Sequence, residues 1–167
     1  MNWKIYLIIG LCVLAFLAVT FVTAGSPYTR ATHLFTKAEV NFYRELVRAA
    51  GNDFVVFGKV RVADLVVVKG AGTRRRHMQA LGRIAQKHVD FCLCYPHDLS
   101  VACVLELNDR SHERKDRIKR DDFIDQLFKK VKLPVIWVPV TKFYDSELIR
   151  QMINQAIIDS MNSNRHG

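Results

Sequence analysis

The sequence predicts an α/β domain behind an N-terminal transmembrane helix, and three observations carry that expectation. The first is an apolar, uncharged run over residues 5–22, long enough at about 1.5 Å per residue to span most of a bilayer's hydrocarbon core. The second is a set of Val-, Ile- and Phe-rich stretches of strand length, FVVFGKVRVADLVVV, HVDFCLC, VACVLELN and PVIWVPV. The third is helical spacing of apolar residues between and after those strands, which calls for helices packed on a sheet.

A chain of 167 residues, half of them apolar, has enough material for one core-forming domain. Its formal net charge of +9 favours an anionic partner, either nucleic acid or an anionic lipid surface. The run over residues 5–22 reads as a single-pass anchor. The alternative is a cleaved signal, because Val22-Thr23-Ala24 resembles a signal-peptidase site. Unpaired cysteines at positions 12, 92, 94 and 103 and the basic domain place that domain in the cytoplasm, with periplasmic or secreted placement as the alternative. The expected organisation is an anchor over residues 1–24, a linker over 25–33, a domain over 34–161 and a polar tail over 162–167. A zinc site from His88, Cys92, Cys94 and His97 is the weaker reading of the thiols, since their spacing contains no CxxC pair. There is no internal repeat, P-loop, GxGxxG or GxSxG pattern, which removes the common nucleotide-binding and serine-hydrolase signatures.

The first domain helix opens with Thr36 as N-cap and Glu39 closing a capping box, and Phe35 and Val40 are placed to staple it. Val40, Tyr43, Leu46, Val47 and Ala50 form its expected inner stripe, and Gly51 ends it. FVVFGKVRVADLVVV is broken near Gly58 and Asp64, so a bent strand or hairpin is expected there. GAGTRRR reads as a loop, followed by a short helix over residues 77–86 with Met78, Leu81 and Ile84 or Ala85 inward.

The centre of the chain is a pair of strands over residues 89–95 and 101–108. Period-two alternation puts Asp90, Cys92 and Cys94 on one face of the first, and Ala102, Val104, Glu106 and Asn108 on one face of the second. Paired, they bring Asp90 beside Glu106. Two carboxylates at the edge of an apolar sheet are costly to desolvate, and a Mg2+ ion is one group that compensates them. Beyond lies a charged stretch, with Arg114, Lys115, Arg117, Lys119 and Arg120 as a candidate phosphate-backbone contact. An amphipathic helix continues from it with Phe123, Ile124, Leu127, Phe128 and Val131 inward and Asp121 at the margin of that face. PVIWVPV is a short buried strand, and the last helix, capped by Asp145 or Ser146, turns Leu148, Met152, Ala156 and Ile157 inward.

The segments VVFGKVRVADLVVV, LGRIAQKHVDFCLC, LELNDRSH, RDDF and KLPVIWVP, in this order, resemble the bacterial family of domain of unknown function 2726, over roughly residues 34–148. The resemblance implies membership of the restriction-endonuclease-like, PD-(D/E)XK, superfamily, with a layout similar to very-short-patch repair endonucleases. It implies an α-β-β-α-β core, a mixed sheet flanked by helices, and a site for Mg2+, with Mn2+ as the alternative ion. By the same resemblance, Asp90 and Glu106 are the metal-binding acids and His112 is the histidine of the repair-endonuclease-like branch. Glu39 is the glutamate of the first core helix, and Arg120 and Asp121 match the family's Arg-Asp pair. The chain departs from the superfamily at Asn108, where a lysine is expected two residues after the second acid. His112, Lys87 or Lys119 replaces that lysine, or catalysis has been lost. The functional expectation is therefore a membrane-anchored, metal-dependent endonuclease acting on DNA or RNA. The alternatives are a catalytically inactive nucleic-acid-binding module and an envelope-associated interaction domain.

Overall fold

The computed structural model describes residues 3–23, 28–70, 72–108 and 115–165, with backbone alone for the helical stretches 17–23, 115–122 and 164–165. The chain divides into two compact units, Met1–Leu34 and Phe35–Gly167.

The first unit contains α1 (Trp3–Thr23), whose side chains over residues 3–16 are exposed. The membrane-crossing helix expected here is corrected: among the described residues, no helix is long and apolar enough to cross a membrane.

In the second unit the order is α2 (Lys37–Ala50), β1 (Val55–Arg61), α3 (Val62–Leu65), α4 (Arg74–Ile84), β2 (His88–Cys94), β3 (Val101–Asn108), α5 (Lys115–Lys130), β4 (Val135–Pro139) and α6 (Ser146–Arg165). It is an α/β fold with one four-stranded mixed sheet, ordered β1-β2-β3-β4. The first three strands are antiparallel neighbours, and β4 runs parallel to β3 after the α5 crossover. The α-β-β-α-β series that the resemblance implies is thus corrected to a longer one, in which β1 and α4 are the strand and short helix that the residues themselves predict before the central hairpin and α3 is new.

Local grammar and tertiary contact each decide part of this. Thr36 caps α2: its Oγ1 accepts from the Glu39 N–H at 3.3 Å, and Glu39 Oε2 accepts from the Thr36 N–H at 2.9 Å. Thr36→Ala is expected to destabilise the domain by about 1 kcal/mol, read as a lower urea midpoint. The inner face of α2 is Phe42, Leu46, Ala49 and Ala50, one position round from the expected stripe, and Val47 is exposed. On α6, Ile149 and Ile153 are buried while Leu148 is exposed; on α5, Ile124 and Phe128 are buried, while Val131 lies just past its end and is exposed. A one-residue step turns a helix by about 100°, so an apolar-rich helix offers two competing faces, and the sheet selects one.

FVVFGKVRVADLVVV, expected as a bent strand or hairpin, folds as the single strand β1 followed by the helical turn α3. The arginine triplet opens α4, which starts three residues earlier than expected because Thr73 caps it through the Arg76 N–H. Phe42, Leu46, Phe91, Leu93, Leu105, Ile136, Val138 and Ile153 form one core with α2 and α6. Val62, Ile84, Cys92, Cys94, Val104, Ile124 and Phe128 form a second core with α3, α4 and α5. Three cysteines, 92, 94 and 103, are buried and free. Burial pushes the Cys103 thiol up to about 12 and raises Cys92 further, so both behave as small apolar groups.

Gly58 in β1 is fixed by packing. A Cβ there would run into the Phe35 ring, which itself packs on Phe91 with centroids 5.3 Å apart. Gly58→Val is expected to cost about 1–3 kcal/mol through overpacking, measured by urea unfolding.

Candidate functional site

The register of the sheet lines up four residues from four strands. β1 pairs Gly58 with Phe91 and Val60 with Val89, which leaves Lys59 across from Asp90. Phe91 pairs with Leu105, so the next residues outward, Asp90 and Glu106, face each other. Glu106 is in turn the partner of Trp137 in β4. The row Lys59, Asp90, Glu106, Trp137 therefore crosses the whole sheet, with two carboxyl groups at its centre.

Lys59 has φ +56°, in the left-handed region, where a non-glycine residue carries strain of about 1–3 kcal/mol. Its Nζ donates to Glu39 Oε1 at 2.6 Å and to Asp90 Oδ1 at 3.0 Å. Glu39 is thereby used twice, once in the capping box and once on the lysine, and it is 9% exposed. Asp90 Oδ2 accepts from the Leu107 N–H at 3.0 Å, so both oxygens of that carboxylate are committed.

The electrostatics divide the two central acids. Burial works to raise Asp90, but the Leu107 N–H and the Lys59 ammonium outweigh it and hold its pKa below the ordinary carboxylate value. Glu106 is pushed up to about 8, first by burial and then by the Asp90 charge beside it. The raised value favours the protonated form of Glu106 at neutral pH, with the Asp90 carboxylate beside it as the acceptor. For Lys59, burial lowers the pKa, and its bonds to Glu39 and Asp90 more than reverse this, so the ammonium is retained.

The structure thus brings together three of the expected residues, Asp90 and Glu106 directly and Glu39 through Lys59. His112 and Arg114 lie outside the described residues. Lys115, Arg117, Lys119, Arg120 and Asp121 fall in the half of α5 described by backbone alone, so their side chains lie outside as well. Asn108 ends β3 exposed, and its carbonyl accepts from the Val140 N–H at 3.2 Å. Lys87 stands over the Phe123 ring, 5.6 Å from its centroid.

Two participants escaped the sequence reading. Lys59 is one; the only signal for it was the Gly-Lys interruption of an otherwise apolar strand. The other is Asp125 on α5, which accepts from Trp137 Nε1 at 3.0 Å and so ties the crossover helix to the end of the row. Asp125 lies one helical turn beyond Asp121, the acid that the sequence selected.

Among the described residues no group of three or more His, Cys, Asp or Glu side chains is arranged to hold a metal ion. The pair Asp90 and Glu106 nevertheless suits Mg2+, which binds through one or two carboxylates and leaves its remaining positions to water and substrate phosphate. Lys59 offsets the charge of Asp90 and Glu39, while the Asp90 charge works against a second ionised carboxyl at Glu106, and a divalent ion is a group that would let both acids ionise.

The model of the family described as protein of unknown function (DUF2726) matches residues 31–157. The chain belongs to that family. The match takes in α2 through most of α6, and so every residue of the row. No curated protein and no solved structure matches the chain, and nothing in these comparisons joins the family to the restriction-endonuclease-like superfamily.

Proposed function

We propose that this DUF2726 domain is a Mg2+-dependent, nuclease-like domain acting on nucleic-acid phosphodiesters. The observation that supports this best is the Asp90-Glu106 carboxyl pair, set side by side on the two central strands by the register of the sheet. Asp90 and Glu106 would hold the ion, which when bound supplies Lewis-acid polarisation of a phosphoryl oxygen. The chain's own groups prepare that place. The Leu107 N–H fixes the direction of Asp90, and Glu39, locked by the α2 cap, holds Lys59 from the far side. Ion binding would require Glu106 to release its proton, so affinity should rise with pH until the pair is ionised. In this reading His112 serves as general base or acid and Asp121 orients the first ligands. Arg114, Lys115, Arg117, Lys119 and Arg120 contact the phosphate backbone.

A second reading, a nucleic-acid-binding module without turnover, is favoured by Asn108, a neutral side chain where the resemblance calls for a lysine. Incubating the full chain with single-stranded, duplex and branched DNA and with RNA, in Mg2+, Mn2+ or chelator, separates the two. Metal-dependent cleavage that disappears in Asp90→Ala and Glu106→Ala supports the enzyme. Salt-dependent binding with no cleavage supports the silent module. Cleavage that survives both substitutions would sink the proposed site.

A further inference from the structure

We infer that Lys59, delivered from β1, is the cation that contacts the substrate phosphate, taking the part left vacant by the neutral Asn108 on β3. This rests on the phosphodiester reading above. Three features of the molecule carry it. Lys59 stands in the same cross-sheet row as Asp90 and Glu106, so its ammonium reaches the place where a phosphate held at those acids would lie. An ammonium has three donors, and Glu39 and Asp90 occupy two. The side chain is 23% exposed, so solvent, and with it a ligand, reaches this lysine.

The third feature is the backbone. A simple counter-ion for two acids could be set on a relaxed strand, whereas Lys59 adopts φ +56° beside a glycine that only the absence of a Cβ allows to pack on Phe35. Backbone strain retained at a polar, partly open position is a mark of a residue held for a task other than stability. The two acids also restrict the freedom of a long, flexible chain. Glu39 is itself tied by the α2 cap, so the ammonium is held between a helix and a strand before any ligand arrives. Fixing a charge in advance, in a site of restricted solvent, is what makes it effective on charge that develops during phosphodiester cleavage.

The test uses the full chain as wild type, Lys59→Met, Lys59→Gln and the double variant Lys59→Gln with Asn108→Lys. Gln retains donors for Glu39 and Asp90 without the charge, so it serves if Met does not fold. Binding of a labelled single-stranded oligonucleotide is followed in Ca2+ across a salt series, and cleavage is followed in Mg2+ and Mn2+. Loss of Lys59 is expected to weaken binding roughly 10-fold and to reduce the salt slope by about 0.7, the value for one phosphate contact on a single strand. Cleavage is expected to fall by about 100-fold or more, with partial recovery when a lysine is supplied at position 108. Unchanged affinity and slope would reduce Lys59 to an internal counter-ion and overturn the inference. Wild-type cleavage matched by the Lys59 variants would also overturn it while leaving the nuclease reading intact. A slope change without wild-type cleavage would keep the phosphate contact and sink the nuclease reading.

Discussion

Asp90→Asn in the full chain is expected to lower the proposed metal-dependent phosphodiester cleavage on the order of 1000-fold while leaving a folded domain. The substitution removes the charge and keeps the shape. One amide oxygen can accept from the Leu107 N–H or from Lys59, but not from both, because the amide nitrogen presents donors to whichever remains. The same change withdraws the charge that helps to raise Glu106. The Glu106 pKa is therefore expected to fall from about 8, although burial keeps it above the ordinary carboxyl value. Carboxyl-selective NMR titration of wild type and variant checks this independently of any activity. An unmoved Glu106 titration would break the electrostatic coupling on which the site is built, and retained cleavage would remove Asp90 from it.

How far the sequence revealed this arrangement depended on the range of the interaction concerned. The Thr36-Glu39 capping box was legible because its two bonds span three residues and need no tertiary partner. Asp90 and Glu106 were legible because strand alternation has a period of two, and two adjacent strands in one hairpin leave few registers. Lys59 was hidden for the opposite reason. Its contacts to Glu39 and Asp90 cross 20 and 31 residues of sequence, and its left-handed backbone is not a preference that lysine displays.

The inner stripes of α2, α5 and α6 show an intermediate case. Helical periodicity identified the elements, but in each a neighbouring apolar residue completes an alternative face, and only contact with the sheet selects between Val47 and Ala49 or between Leu148 and Ile149. Asp125 was hidden for a similar reason, while the side chain of Asp121 lies outside the described residues. The two are one turn apart on α5, and the indole of Trp137, at the same register as Glu106, recruits the second.

Glu106 also gives the domain a pH dependence whose sign can be worked out. Its folded pKa, about 8, lies above its ordinary value of 4.5, so the folded state holds a proton that the unfolded state has released throughout the interval between them. The stability this contributes is fully present below about pH 4.5, declines as pH rises and is lost once pH passes about 8. Asp90 is shifted in the other direction, and its contribution disappears only as pH falls through the lower carboxylate range; the raised Lys59 loses its contribution only above 10.5. Between pH 5 and pH 8 the Glu106 effect therefore stands apart from the other members of the row. Its size is on the order of 5 kcal/mol, and Glu106→Gln, which is neutral at every pH, should remove it. Urea unfolding of both proteins at pH 5, 6, 7, 8 and 9 is expected to show wild type losing stability relative to the variant across this range and running parallel above it. Mg2+ should reverse the loss at pH 8 in wild type and have little effect at pH 5, because only the ionised pair offers two carboxylates. A difference between the two proteins that does not change with pH would mean that Glu106 is already ionised beside Asp90. The pair would then need no further cation, and the metal-binding reading would lose its main support.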